Sequence, residues 1–261
     1  MIHSPEAFGE QLRAWRRRRR MSQLDLACEA EISTRHLSFV ETGRSAPSRE
    51  MVLRLAESLE APPRETNLLL TAAGFAPSFP ERGLDHPAMA AAREAIELLL
   101  AAHAPFPALA VDRHWNLISA NAGVTALMNV DDPSLLEPPI NVLRLSLHPD
   151  GIGGRIVNYG EWRAHILERL ASQVRISADP ILSALHDELA ALPSPAGASP
   201  AMGHADYGGI AVPFQIRSEA GVLSFFSTTT VFGTPVDVTL AEIAIETFLP
   251  ADEATARALR G

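Results

Sequence analysis

The 261-residue sequence contains no lysine, because its 22 basic side chains are all arginine. This absence excludes the lysine of a P-loop, a Schiff-base lysine and the phosphate-binding lysine of a kinase. The single cysteine, Cys28, excludes an intrachain disulfide and a four-thiolate zinc site, which favours an intracellular protein. No apolar run reaches the roughly 18 residues of a membrane span, and the first six residues lack the layout of a signal peptide. We therefore expect a cytoplasmic protein without membrane contact.

Residues 76–261 also lack the common motifs of catalysis. They contain no Gly-x-Ser-x-Gly, no His-Glu-x-x-His and no Gly-x-Gly-x-x-Gly sequence. The histidines lack the i, i+4 spacing that would place two imidazoles on one ligand face. The sequence therefore predicts no catalytic residue, no metal site and no cofactor, and it disfavours an enzyme.

Charge is divided unevenly along the chain. Residues 1–75 carry 11 arginines and 10 acids, whereas residues 76–261 carry 11 arginines and 21 acids. Six of the arginines, at 13 and 16–20, form an arginine cluster that would suit phosphates. The alternative is that these arginines lie at the C-terminus of a helix, where cations complement the helix dipole. The asymmetry predicts two domains with different partners, at 1–75 and 87–261, joined by a proline- and glycine-rich linker at 76–86.

Residues 1–75 fit five short helices. Serines supply the N-caps of the second, third and fourth, and a proline opens the fifth. The predicted helices after the first begin after Ser22, Ser33 and Ser48 and at Pro63, and they reach Ala30, Glu41, Leu59 and Ala73.

The third helix carries side chains suited to DNA. Leu37 and Val40 define its buried side, which leaves Arg35, Ser38 and Phe39 roughly opposite. A helix fits the major groove, where an arginine can donate two hydrogen bonds to guanine, and an aromatic ring can pack on a thymine methyl. The hydroxyls of Thr34 and Ser38 can hydrogen-bond to both the donor and the acceptor groups of bases.

Flanking residues would position the helix on the DNA backbone. Gln23 lies at the start of the second helix, where free N–H groups favour a phosphate. Arg44 and Ser45 follow the third helix and would hold the backbone on the other side. Ser33 is expected to serve chiefly as the cap. The predicted DNA-binding residues are Gln23, Ser33, Thr34, Arg35, Ser38, Phe39, Arg44 and Ser45.

Two motifs in this segment are specific. Ser-Gln-x-x-Leu-Ala begins at Ser22, and Glu-x-Gly-Arg-x-x-Pro-Ser begins at Glu41. Over about residues 6–73 the chain resembles the XRE family of phage-repressor-like helix-turn-helix domains. The resemblance implies an all-α five-helix fold with Gln23, Thr34, Arg35, Ser38 and Phe39 in DNA-facing positions. Phe39 departs from the polar residue usual there.

The remaining segment predicts an α+β domain with helices on one face of an antiparallel sheet. Helices are expected at 87–103, 121–128, 159–174 and 179–191. Two short strands are expected within 109–120, and three more at 210–216, 221–232 and 236–248, joined at 218–221 and 233–235.

Val111-Asp112-Arg113-His114-Trp115-Asn116-Leu117-Ile118-Ser119-Ala120-Asn121-Ala122 resembles the opening of a PAS domain. Joined to an XRE domain, it resembles the MmyB-like regulators. That resemblance implies a transcription factor with a PAS-like α/β sensor domain that accepts an apolar ligand, with a fatty acid as the suggested type.

Candidate ligand-binding residues combine aromatic and polar side chains. The predicted helix at 159–174 supplies Tyr159, Trp162 and His165, and a carboxylate could be met by His148, Arg155 or Arg169. Trp162 as ordinary core and Asn121 as a strand-end backbone partner are the competing interpretations. An acyl chain and a compact aromatic metabolite fit equally well. The predicted ligand-binding residues are Asn121, His148, Arg155, Tyr159, Trp162 and His165.

The sequence therefore favours a homodimeric, sequence-specific regulator that binds double-stranded DNA and senses a small apolar molecule. Two alternatives remain open. One is an antitoxin-like or scaffold protein whose acidic half binds another protein, and the other is an enzyme tethered to DNA.

Overall fold

In a computed structural model, which describes residues 5–200 and 212–260, the chain divides into two compact units. The first runs to His86 and also includes Gly233–Ala241. The second contains Pro87–Phe232 and the chain from Glu242 onward.

Five helices build most of the first unit, as the sequence predicts for residues 1–75. They are α1 Pro5–Arg18, α2 Gln23–Glu29, α3 Thr34–Glu41, α4 Arg49–Ser58 and α5 Pro63–Ala72. The second, fourth and fifth end one residue earlier than predicted, because Ala30, Leu59 and Ala73 are the residues that cap them.

The predicted serine caps explain where these helices begin. The hydroxyl oxygens of Ser22, Ser33 and Ser48 each accept a hydrogen bond from the backbone N–H three residues later. The apolar faces of the five helices then meet in one core. Its fully buried large side chains are Phe8, Leu12, Leu26, Leu37, Leu55, Leu59, Leu69 and Leu70.

The segment at 76–86 lies within the first unit, where Asn67 of α5 holds it. The Asn67 amide donates to the carbonyl of Phe79 at 2.7 Å and accepts from the N–H groups of Ser78 and Phe79. Further along, the N–H of Val238 donates to the carbonyl of Pro80.

The prediction of a strand over 236–248 is wrong for its first eight residues. A short helix, α11 Val238–Ala241, stands there, and the strand begins only at Ala244. Asp237 determines this, because its carboxylate accepts from the N–H of Thr239 and pairs with Arg82 at 3.1 Å. Alternating apolar residues suggested a strand, but the side-chain cap holds a helical turn. The connection between the last two strands, predicted at 233–235, therefore runs from 232 to 243.

Among the described residues, the second unit contains six α-helices and five strands. The helices are α6 Ala90–Ala102, α7 Ala122–Leu127, α8 Val142–Leu147, α9 Tyr159–Ser177, α10 Pro180–Ala191 and α12 Glu253–Arg260, with short 3₁₀ turns at Pro87–Met89, Pro133–Leu136 and Gly153–Arg155. The strands are β1 Ala108–Val111, β2 Leu117–Ala120, β3 Phe214–Ser218, β4 Gly221–Val231 and β5 Ala244–Pro250.

The five strands form one antiparallel sheet in the order β2-β1-β5-β4-β3. This confirms the predicted α+β fold with an antiparallel sheet. In its register, Thr229 of β4 lies opposite Glu246 of β5, and Phe214 of β3 lies opposite Phe225 of β4. The predicted start of β3 at 210–211 lies outside the described residues.

Besides α11, two helices were not predicted. Helix α8 has only six residues, too few for a helical repeat to stand out from the sequence. Helix α12 had a usable signal, since the carboxylate of Asp252 accepts from the N–H of Thr255 as an N-cap does. Thr255 is fully buried and accepts from the N–H of Ser224 in β4, which fixes α12 to the sheet.

Candidate DNA-binding surface and ligand cavity

Helix α3 presents its N-terminal half to solvent. Ser33 caps the helix by accepting from the N–H of His36 at 3.1 Å, while Leu37 and Val40 are fully buried. Thr34 and Arg35 are exposed as a result. Polar side chains at the exposed start of such a helix are suited to base edges.

Arg35 and Phe39 contact each other on α3. The Arg35 guanidinium lies 5.4 Å from the centre of the Phe39 ring, which is half-buried. Among the described residues, Arg35 has no ion pair. A guanidinium held over an aromatic face keeps its N–H groups at the edge available for hydrogen bonds. Ser38 is half-buried, and its carbonyl accepts from the hydroxyl of Thr42 at 2.7 Å.

Gln23 is fixed by a buried carboxylate. Its amide nitrogen donates to Glu41 at 2.8 Å, and Glu41 is 2% exposed. Ser22 and Asp25 bond each other reciprocally in a capping box at the same helix start. The N–H of Asp25 is therefore used, which leaves the N–H groups of Gln23 and Leu24 for a phosphate.

The chain after α3 is tied back to that helix. The N–H groups of Arg44 and Ser45 both donate to the carbonyl of Phe39, at 2.9 and 3.2 Å. Arg44 is exposed and Ser45 is half-buried. The roles of the eight residues in binding DNA stay predictions.

The arginine cluster serves mainly to hold the first unit together. Arg13 and Arg16 bind Glu41, Arg18 lies over the Trp15 ring, and Arg19 donates to the carbonyls of Leu59 and Glu60. Within the part of the chain that is described, Arg17 and Arg20 have no such side-chain contact. Arg17 and Arg20 are therefore the members of the cluster whose guanidinium groups have no structural role among the described residues.

The second unit contains a partly open apolar cavity. Its volume is about 90 Å³, and its walls come from β1, β3 and β5 and from helices α7, α8 and α9. The lining consists of Pro107, Leu109, Trp115, Val124, Leu127, Met128, Val142, Leu143, Leu145, Ser146, Ile152, Trp162, Ile166, Arg169, Phe214, Glu246 and Phe248. Only three of these side chains, Ser146, Arg169 and Glu246, carry strongly polar groups.

Arg169 and Glu246 form an ion pair in the cavity wall. The Arg169 Nη2 lies 2.6 Å from Glu246 Oε1, and its Nη1 lies 3.1 Å from Oε2. Thr229 joins them by accepting from Arg169 at 2.8 Å and donating to Glu246 at 2.8 Å. The Arg169 guanidinium also lies 4.5 Å from the centre of the Trp115 ring. These contacts fix the arginine from three sides.

Ser146 of α8 accepts a hydrogen bond from the indole of Trp162 at 2.9 Å. Among the described residues, no acceptor takes the Ser146 hydroxyl hydrogen. Since Ser146 is 8% exposed and lines the cavity, that hydroxyl is available to a ligand.

Of the six predicted ligand-binding residues, Trp162 lines the cavity and the other five do not. The Tyr159 hydroxyl donates to the carbonyl of Leu147, and burial raises the pKa of this phenol although Arg163 opposes the shift. His165 packs beside Trp162 with ring centres 5.5 Å apart. His148 follows α8, where its imidazole accepts from the N–H of Asp150.

Asn121 and Arg155 hold backbone rather than cavity wall. The Asn121 amide donates to the carbonyls of Leu100 and Phe106, and its oxygen accepts from the N–H groups of Ala108 and Val124. Arg155 donates to the carbonyls of Leu127 and Asn129. Arg169 and Glu246 line the cavity instead. The sequence gave no signal that these two residues pair, because one lies on a helix and the other on a strand 77 residues away.

Among residues 5–200 and 212–260, no three His, Cys, Asp or Glu side chains gather in a way that could hold a metal ion. No helix in the same ranges is long and apolar enough to cross a membrane.

Among solved structures, two regulators resemble part of the chain. The restriction-modification controller protein C.AhdI from Aeromonas hydrophila is 32% identical, and the match covers 24% of this chain and 94% of that one with a TM-score of 0.23. The clp gene regulator ClgR from C. glutamicum is 28% identical, with coverage of 27% and 87% and a TM-score of 0.24. No curated protein matches the chain.

Family models match both halves of the chain. Residues 7–69 match a helix-turn-helix domain, and residues 92–261 match the MmyB-like transcription regulator ligand binding domain. The second match spans more than half of the sequence, and both segments agree with the resemblance drawn from the motifs. The chain therefore belongs to the MmyB-like transcription regulators, as a helix-turn-helix DNA-binding protein with a C-terminal ligand-binding domain, and it is not an enzyme.

Proposed function

We propose that this regulator binds a specific DNA operator through α3 and that a small apolar molecule in the cavity changes its affinity for that operator. The cavity carries the proposal, because 14 of its 17 lining residues have apolar or aromatic side chains. Pockets for small molecules are mostly apolar with a few polar groups that orient the ligand. Control of DNA binding requires that the ligand have different affinities for the DNA-competent and DNA-incompetent states.

Base reading is assigned to Arg35, Thr34 and Ser38, with Phe39 beside them and Ser33 as the helix cap. Gln23, Arg44 and Ser45 are assigned to the phosphates. The support is that Arg35 has no ion pair among the described residues, while Gln23 is held by Glu41. Since the partner is DNA, the proposal also places the protein in the cytoplasm.

The proposal includes a homodimer. A single small module covers little DNA, and two-fold partners double the contact area. The operator is then expected to be palindromic, with half-sites about 34 Å apart, one turn of the duplex. Sedimentation of the protein with and without such a duplex tests the stoichiometry.

A fatty acid is the ligand type that the family resemblance suggests, and the lining suits an acyl chain. The 90 Å³ cavity is smaller than the roughly 150 Å³ cavity that accepts a benzene ring, so an acyl chain requires lining side chains to move. We propose a ligand of this size or one that widens the cavity on binding.

The test has two steps. Mass spectrometry of apolar molecules extracted from the denatured protein identifies any stoichiometric ligand. Selection from random DNA then yields the operator, and fluorescence anisotropy measures its affinity with and without the ligand. An empty protein that co-purifies with another protein, and whose operator affinity no apolar molecule changes, would favour the scaffold alternative.

A cavity variant supplies the control. Met128→Trp places an indole in the cavity, so it should abolish the ligand's effect on DNA while leaving operator binding intact. Ala126→Trp places the same indole side chain at an exposed position of α7 outside the lining, and it should keep the ligand response. An unchanged response in Met128→Trp would contradict a role for the cavity.

A further inference from the structure

The polar wall of the cavity is already charge-neutral. Three of the five N–H groups of Arg169 are used, two by Glu246 and one by Thr229. Glu246 is 4% exposed and accepts three hydrogen bonds, one at Oε2 and two at Oε1. The place that a ligand carboxylate would take on this arginine is therefore occupied by a carboxylate of the protein.

We infer that the cavity selects an apolar ligand with an uncharged hydrogen-bonding head group, such as a hydroxyl or a primary amide, over the corresponding carboxylate. This inference rests on the proposed ligand sensing and names the chemistry of the ligand. It refines the fatty-acid suggestion, because it keeps the aliphatic chain and replaces the ionised head.

Electrostatics provides the first argument. A carboxylate that enters the cavity must lose its water while it approaches the buried carboxylate of Glu246, and like charges repel strongly where the dielectric constant is low. Displacement of Glu246 from Arg169 is no remedy, because it would leave a buried carboxylate without its partner. An uncharged head group avoids both penalties.

The hydrogen-bonding inventory provides the second argument. The Ser146 hydroxyl has a hydrogen to donate, and Arg169 has two N–H groups without partners among the described residues. Glu246 Oε2 accepts only one hydrogen bond there, so it has a lone pair for a ligand donor. A hydroxyl or primary amide both donates and accepts, whereas a carboxylate only accepts. The cavity therefore offers partners to both sides of an uncharged head.

The test compares three ligands of equal chain length: 1-octanol, octanamide and octanoate, near neutral pH, where octanoate is ionised. Binding to the full chain is followed by fluorescence, because Trp115 and Trp162 line the cavity. We expect octanol and octanamide to bind at least about tenfold more tightly than octanoate. Equal or tighter binding of octanoate would overturn the inference and leave the proposed sensing intact.

A charge variant makes the comparison sharper. Glu246→Gln frees Arg169 for a ligand carboxylate, so octanoate should gain about tenfold or more in affinity while octanol changes little. Glu188→Gln removes a carboxylate from the Arg144–Glu188 pair, which is outside the lining, and should preserve the order of the three ligands. If octanoate gains nothing in a folded Glu246→Gln protein, Glu246 does not set the preference.

If Glu246→Gln does not fold, the order of the three ligands on the unmodified protein still decides the inference. Failure of all three to bind, together with no ligand effect on DNA, would overturn the proposed sensing and this inference with it.

Discussion

Arg16 at the end of α1 and Glu41 at the end of α3 form a buried, two-pronged ion pair. The Arg16 Nε lies 2.6 Å from Glu41 Oε1, and Nη2 lies 3.0 Å from Oε2. Gln23 at the start of α2 donates to the same carboxylate. One buried glutamate therefore ties together three helices, including the two predicted to contact DNA.

Replacing Glu41 should destabilise the first unit strongly. Glu41→Gln leaves Arg16 buried without a counter-charge, and breaking such a pair costs about 3–5 kcal/mol. Hydrogen exchange of the α1 and α3 amides measures the loss. The control is Glu50→Gln, whose exposed pair with Arg54 is worth only about 0.3–0.5 kcal/mol. Similar losses in the two variants would contradict a structural role for the buried pair.

The same pair predicts how stability depends on pH. Burial alone would raise the pKa of the Glu41 carboxyl, but hydrogen bonds from Arg16 and Gln23, with the charges of Arg16 and Arg13, lower it overall. A carboxyl whose pKa is lowered on folding stabilises the protein above its unfolded pKa and stops doing so as the pH falls through the folded value. The advantage over Glu41→Gln should be full above pH 4.5, the ordinary value, and shrink below it. An advantage that stays constant through the acid range would contradict this.

Gly9 lies where α1 approaches α3 most closely. A Cβ there would lie 2.5 Å from the carbonyl oxygen of Glu41 and 2.8 Å from that of Val40. Alanine favours a helix by about 1 kcal/mol over glycine, but backbone overlap at this distance should cost more, about 1–3 kcal/mol beyond that gain. Gly9→Ala should therefore lower the stability of α1 and α3 in hydrogen exchange. Ala14→Gly, at an exposed position of α1, should lose only about 1 kcal/mol.

Arg35 and Arg44 should respond differently to truncation. If Arg35 reads a guanine, Arg35→Ala should cost about 1–3 kcal/mol at one operator position and relax the preference there. Arg44→Ala should weaken all sequences alike and reduce the salt dependence of binding by about one unit of slope. Anisotropy with single-base operator variants measures both. An equal loss across all sequences for Arg35→Ala would reassign this arginine to the phosphates.

Asn121 should matter more for stability than for ligand binding. Its amide makes four hydrogen bonds to backbone groups at the ends of α6, β1 and α7. Asn121→Ala should destabilise the second unit by about 2–4 kcal/mol, because these backbone groups lose their partner. Asn121→Asp should fare no better, since it turns an oxygen toward the carbonyls of Leu100 and Phe106. A ligand affinity that falls while stability holds would restore the predicted binding role of Asn121.

Local signals in the sequence determined much of this protein. Ser22, Ser33 and Ser48 cap helices where the sequence predicted, since a cap depends on contacts only three residues apart. The periodicity of Leu37 and Val40 likewise placed the buried side of α3 correctly.

Tertiary structure decided what local patterns could not. Asp237 caps a helical turn in a stretch with strand-like alternation, and its carboxylate also pairs with Arg82, which is 155 residues away. The sequence suggested a phosphate site at the arginine cluster, but it could not show that Glu41 and backbone carbonyls bind most of these arginines. Arg169 and Glu246 meet across 77 residues, and no periodicity or spacing records a partner at that distance. Helix caps are fixed by neighbours along the chain, whereas the polar wall of the cavity exists only once helix and sheet have packed.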